Sequence, residues 1–270
     1  MSELPPLADT HCHLCLAEFE PDLAEVLERA RRDGVERILV PGIDLETSRR
    51  AVELAEDHAE IFAAVGVHPH HAAGYGPATR TALRQLAASA RVVAIGEIGL
   101  DYFRDRSPRP AQRSAFDDQL DLAAELGRPI VVHNREATAD VLERVLPWAA
   151  GRDRPGVLHA FSGDTAEAIA AAEAGFYLGV AGPITFPGAE DRRQVTGQLP
   201  KGRVILETDS PYLTPHPHRG LRNEPARVDL IAAALAQIWE TDPADTRRIV
   251  WKNAATLFQW DHGTDNRHLL

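Results

Sequence analysis

Eight short apolar runs punctuate the chain, and longer amphipathic stretches separate them. The runs cover residues 7–9, 38–40, 61–67, 92–95, 129–132, 156–158, 176–180 and 204–206. Most are rich in β-branched residues and nearly continuous in hydrophobicity. That is the pattern of parallel strands buried on both faces. The stretches between them read as helices. Residues 20–32 carry Pro21 in the first turn, place Leu23, Val26, Leu27 and Ala30 on one face, and meet Gly34 as a stop signal. Asp164 and Glu167 have capping-box spacing at the head of another helix, which Gly175 ends. Residues 108–126, 136–148 and 226–239 fit the same pattern. A last helix runs over 243–258 with Asp242 as N-cap.

Eight strand–helix units in 270 residues match the size of an α/β, TIM-type (β/α)8 barrel. A doubly wound open sheet is the alternative. No repeat, low-complexity segment or Pro/Gly-rich linker divides the chain. One domain over residues 1–260 is therefore expected, followed by a polar tail, 261–270, whose His262 and His268 read as solvated.

The first strand leads into Asp9-Thr10-His11-Cys12-His13. Residues two apart in extended chain share a face, so His11 and His13 present two imidazoles side by side while Cys12 points away. Glu97 follows the fourth run, His133 the fifth, His159 the sixth and Asp209 the eighth. Barrels of this type keep their active sites at the C-terminal ends of the strands. Five strand ends thus bring four histidines and two carboxylates to one mouth. Each alone has an ordinary reading: a hydrogen-bonded core histidine for His133 or His159, a turn or cap group for Glu97, an N-cap for Asp209. Six such groups on one edge are too costly to be accidental. Together they read as a metal site, with donors that suit zinc or another borderline ion.

Charge narrows the partners. A net charge of −11 excludes a broad electrostatic grip on nucleic acid or anionic lipid, but not a local, metal-assisted phosphate site. The two cysteines, Cys12 and Cys15, are too few and too close to staple the fold and read as reduced thiols. A redox pair or half a zinc site is the alternative, and no second CxxC completes it. Residues 1–9 show no basic run followed by a long apolar core. No stretch reaches the ~18 apolar residues of a membrane span. A cytoplasmic protein without a membrane partner is the expectation.

The motifs His11-x-His13-Leu, Gly66-Val67-His68-Pro69, Gly96-Glu97-Ile98-Gly99-Leu100-Asp101, His133-Asn134-Arg135, His159-Ala160-Phe161-Ser162-Gly163, Glu207-Thr208-Asp209-Ser210-Pro211 and Arg219-Gly220-Leu221-Arg222-Asn223-Glu224-Pro225 stand in the chain in that order. Together they resemble the TatD family of metal-dependent deoxyribonucleases, within the amidohydrolase-like group of TIM barrels. The resemblance implies two or more divalent ions, with His11, His13, Glu97, His133, His159 and Asp209 as ligands and Glu97 bridging. On that reading His11, His13, Glu97 and Asp209 hold one ion, and Glu97, His133 and His159 the other. Asp209 also takes the proton of the attacking water. Four histidines favour zinc or manganese over magnesium, although the family is often described as magnesium-dependent.

The same resemblance points to single-stranded DNA, trimmed from a 3′ end, as substrate. His68 reads either as a substrate-side group or as a structural histidine before a proline turn; His70 and His71 read as loop residues. Arg135 and Arg219 are the phosphate-contact candidates, with pairing to surface carboxylates as the alternative. Glu207 either orients a histidine or water from behind the ligands or is a structural acceptor. Tyr102, Phe103 and Phe161 read as base-stacking groups or as packing, and Asn253 and Phe258 as helix capping and packing. Two rival functions use the same residues: hydrolysis of D-aminoacyl-tRNA or other esters and amides, and metal binding without turnover. A monomer with no obligate protein partner is expected.

Overall fold

Residues 4–260 are described by the structure, a computed structural model. The tail with His262 and His268 lies outside the described residues. Eight parallel strands, β1 (Leu7–Asp9), β2 (Val35–Pro41), β3 (Ile61–Val65), β4 (Val92–Asp101), β5 (Ile130–Arg135), β6 (Gly156–Leu158), β7 (Tyr177–Val180) and β8 (Val204–Leu206), pair in chain order. The last strand returns to the first. Thr10 N donates to Leu206 O at 3.0 Å, Asp209 N to His11 O at 2.8 Å and His13 N to Ser210 O at 2.8 Å. The sheet is thus a TIM barrel and not the open doubly wound alternative.

The helices are α1 (Leu23–Arg32), α2 (Leu45–Asp57), α3 (Pro77–Leu86), α4 (Arg109–Leu126), α5 (Thr138–Ala149), α6 (Thr165–Glu173), α7 (Glu190–Gln198), α8 (Val228–Trp239) and α9 (Pro243–Phe258). The capping box of α6 forms, with Asp164 accepting from Glu167 N and the Glu167 side chain from Asp164 N. Asp242 caps α9 by accepting from Ala244 N. Asn253 does not cap: it sits inside α9 and donates to Lys201 O and Val204 O, tying the helix to the start of β8.

Two cores hold the barrel. The larger lies mainly between strands and helices. The smaller takes a residue from every strand, from Ala8 to Ile205, and is closed by Leu257, Phe258 and Trp260. It fills the barrel with apolar side chains and leaves the other end for polar ones. β4 runs past residue 95 because its register shifts between Ile95 and Ile98, which carries Gly96 and Glu97 through the sheet without ending the strand. No described helix is long and apolar enough to cross a membrane.

Candidate metal centre

The structure brings His11, His13, Glu97, His133, His159 and Asp209 together at the C-terminal mouth. The two Nε2 atoms of His11 and His13 lie 3.1 Å apart. Glu97 Oε2 lies 3.3 and 3.5 Å from them, and Asp209 Oδ1 3.7 and 3.5 Å. The other oxygen of Glu97 faces a different group: Oε1 is 2.8 Å from His133 Nδ1, 3.3 Å from His159 Nε2 and 3.6 Å from His68 Nε2. A single buried carboxylate is therefore divided between two nests of imidazole. His11, His13 and Glu97 each offer an atom within 4.8 Å of the others, as do His68, Glu97 and His133. Nitrogen and carboxylate donors crowded this closely fit divalent cations.

The outward nitrogen of each ring decides what its inward nitrogen offers. His13 Nδ1 donates to Pro41 O (3.3 Å), His159 Nδ1 to Glu207 Oε1 (3.0 Å) and His133 Nε2 to Asp101 Oδ2 (3.2 Å). In the neutral tautomer each then turns a lone pair to the centre. His68 is the reverse. Its Nδ1 accepts from His70 N (3.1 Å), so its Nε2 presents an N–H to the centre. Among the described residues, His11 Nδ1 and Glu207 Oε2 are buried without hydrogen-bond partners, and one ligand atom each of His11, His159 and Glu207 lies within 4.8 Å of the others.

Electrostatics follow from the crowding. Burial works to raise the Glu97 carboxyl, but His11, His68 and His159 hold it well below the ordinary range. Burial likewise opposes charge on Asp209, and His13 keeps it low. Burial opposes a proton on His159, yet Glu207 and Glu97 push it up to about 9. His13 is raised against burial by Asp209, and His133 by Asp101 and Glu97. Burial and the neighbouring His159 lower His11; burial and His133 lower His68 well below the usual value.

The seam between β1 and β8 supports the centre. Asp9, fully buried, accepts from Thr208 N (2.8 Å), the Thr208 hydroxyl (2.5 Å) and His11 N (3.3 Å). Burial pushes its carboxyl up to about 8. Asp209 itself has φ +56, a region that costs a non-glycine residue about 1–3 kcal/mol. Gly99, at φ +142, lets β4 pass His133 closely: a Cβ there would sit 2.0 Å from His133 O. At Gly179 a Cβ would fall 2.4 Å from Glu207 Oε2, so the absent side chain makes room for the carboxylate.

The remaining candidates divide. His68 is buried beside Glu97. His70, read from sequence as a loop residue, instead reaches Asp101 Oδ2 at 2.9 Å and packs on His68, whereas His71 is exposed. Asp101 holds both His70 and His133. It was legible only as part of a motif, because its partners lie 31 and 32 residues away. Arg135 is exposed, stacked 4.6 Å over the half-exposed Phe103 ring, and Arg219 stacks 4.2 Å over Phe186. Among the described residues neither pairs with a carboxylate. Tyr102 is occupied by packing: its hydroxyl donates to Asp140 and Arg109 covers its ring. Phe161 is half-buried against the larger core, and Cys12 and Cys15 are buried free thiols. Tyr212, which the sequence reading passed over, is 52% exposed with its ring 6.2 Å from that of His13.

Comparison with known proteins agrees with this fold. The family model described as TatD related DNase matches residues 8–259. An uncharacterized metal-dependent hydrolase, YabD, of Bacillus subtilis (strain 168) is 41% identical over 253 residues, 94% of this chain and 99% of its own. A protein of Cronobacter sakazakii (strain ATCC BAA-894) named 3′-5′ ssDNA/RNA exonuclease TatD is 38% identical, over 93% of this chain and 97% of its own. The crystal structure of YjjV, a TatD homolog from Escherichia coli K12, superposes with a TM-score of 0.89 at 32% identity, covering 94% of this chain and 98% of that one. With a barrel, a histidine–carboxylate mouth and near full-length relatives in agreement, the chain belongs to the TatD-related DNase family of metal-dependent hydrolases.

Proposed function

We propose that this protein is a metal-dependent phosphodiesterase that removes nucleotides from the 3′ end of single-stranded DNA. The observation that carries the reading is the division of Glu97, with one oxygen toward His11 and His13, which Asp209 also faces, and the other toward His68, His133 and His159. Such a carboxylate suits two cations held side by side. His11, His13, Glu97 and Asp209 would hold one, and Glu97, His133 and His159 the other. Divalent ions bound there would supply charge for a phosphoryl oxygen and lower the pKa of a water.

The chain's own groups do the rest. Asp209 is kept ionised by His13, so it can accept a proton from the attacking water. His68 turns an N–H toward the centre and donates to a non-bridging phosphate oxygen. Glu207 and Asp101 hold the rings of His159 and His133 from behind. Arg135 and Arg219 stand exposed at the rim as phosphate contacts, with Phe103 as a stacking face beside Arg135.

Relatives named as 3′-5′ ssDNA/RNA exonucleases support the choice of substrate. The test is digestion of a 5′-labelled single strand by manganese- or zinc-loaded protein. A ladder shortening from a free 3′ end, absent when that end is blocked, is expected. Release of amino acid from D-aminoacyl-tRNA without any cleavage of DNA would overturn the reading.

A further inference from the structure

Beside the metal centre a cavity of about 490 Å³ opens between the segments that follow β6, β7 and β8. Its wall begins at Ala160, the residue after His159, and reaches Leu213, four residues past Asp209. A volume in this range suits one small-molecule-sized group. Phe161, Val180, Ile184 and Val195 make the cavity largely apolar. α7 closes it with Asp191, Arg192, Val195 and Thr196, flanked by Ala189 and Leu199 at its two ends.

Arg192 is the unusual member. It is half-buried, and among the described residues no carboxylate, carbonyl or hydroxyl accepts from its guanidinium. Its neighbour Arg193, by contrast, is spent on Glu190 and on the carbonyls of Ile184 and Phe186. Burial lowers the Arg192 pKa with no anion to offset it. Two acids line the same cavity and neither pairs with Arg192: Asp164 is used as the cap of α6, and Asp191 is exposed. A half-buried guanidinium on the wall of an apolar cavity is suited to pairing an anion that enters it.

We propose that this cavity is a nucleotide subsite. It takes the base and sugar of the nucleotide next to the scissile bond against Phe161, Val180 and Val195, with that nucleotide's phosphate on Arg192. The proposal rests on the nuclease reading above. A guanidinium pairs a phosphate through two parallel hydrogen bonds, and an aromatic wall accepts any base by its face or edge. The arrangement assigns part of substrate affinity to residues that touch neither the metal centre nor its supporting groups.

The test compares Arg192→Gln with the wild type on two substrates, single-stranded oligonucleotides and bis(p-nitrophenyl) phosphate, which reaches the metals but has no second nucleotide. Arg192→Gln is expected to raise KM for oligonucleotides about tenfold with kcat little changed, and to leave the small diester unaffected. Binding of a phosphorothioate oligonucleotide should lose about 0.7 from its log-log salt slope, the share of one phosphate on a single strand. Val195→Trp, which fills the cavity and spares the charge, should raise KM with the salt slope retained. Arg192→Lys should recover part of the affinity.

Oligonucleotide KM and salt slope unchanged in Arg192→Gln would overturn the subsite while leaving the nuclease reading intact. Equal losses on both substrates in Arg192→Gln and Val195→Trp would also overturn it, since they would mark damage to the centre. A wild-type protein that cleaves the small diester but no oligonucleotide would overturn the nuclease reading and the subsite with it. Competition by N-acetyl amino acids, and not by nucleoside monophosphates, would assign the cavity to a carboxylate ligand and overturn the nucleotide.

Discussion

Glu207 Oε1 lies 3.0 Å from Nδ1 of His159, and the opposite nitrogen of that ring faces Glu97 Oε1 at 3.3 Å. The same Glu207 oxygen also accepts from Ala160 N. One carboxylate therefore fixes both the tautomer and the backbone of the histidine it backs. Glu207→Ala is expected to weaken divalent-metal affinity about 10–100-fold. Glu207→Gln, which can still accept from Nδ1, should lose less. Metal competition titration checks this; unaltered affinity in the alanine variant would leave Glu207 a purely structural acceptor.

The proposed function gives Asp209 two roles, metal ligand and base, that can be separated. Asp209→Asn retains an oxygen beside His11 and His13 but cannot take a proton at neutral pH. Turnover should fall about 10²–10⁴-fold, the usual range for a lost general base. Metal content by mass spectrometry should fall far less. Wild-type kcat in this variant would remove Asp209 as the base.

Metal binding should release protons. In the metal-free protein His159 is raised to about 9, so its ring holds a proton at pH 7, and His13 is shifted in the same direction. An imidazole must be neutral to bind a cation. Affinity should therefore climb as pH rises through neutrality toward about 9, and weaken as pH falls. Calorimetry in buffers of different ionisation enthalpy should report net proton release at pH 7; zero release contradicts a protonated His159. The sign for stability is separate. A histidine raised on folding stabilises fully below its unfolded value of about 6.5, and that share is lost as pH rises through about 9.

Thr208→Val should destabilise the fold by about 1–3 kcal/mol, because it leaves a buried oxygen of Asp9 without its hydroxyl partner. Denaturant unfolding measures it. A change below about 0.5 kcal/mol would show that the seam does not depend on this contact.

The barrel was legible because its strands are buried on both faces, and such strands are written as unbroken apolar runs. All eight runs became strands. The helices over Leu45–Asp57, Pro77–Leu86 and Glu190–Gln198 were not individually readable. In the third only Thr196 is buried, so it carries little of an apolar stripe. The strand-end histidines and carboxylates were readable because position two apart and position at a strand end are local properties. The hold of Asp101 on His70 and His133, and the orphaned charge of Arg192, are not local. They depend on which loops the closed barrel sets side by side.

That closure also sets a timetable. His11 and His13 emerge early in synthesis, but Asp209 and Glu207 arrive with the last strand, and the backbone bonds from Thr10, His13 and Asp209 exist only once it docks. A growing chain on the ribosome thus carries a pair of imidazoles with no partner carboxylate from the far edge. Asp209, and Glu207 behind His159, are missing until three-quarters of the protein has been made. The complete set of six groups belongs to the closed barrel alone.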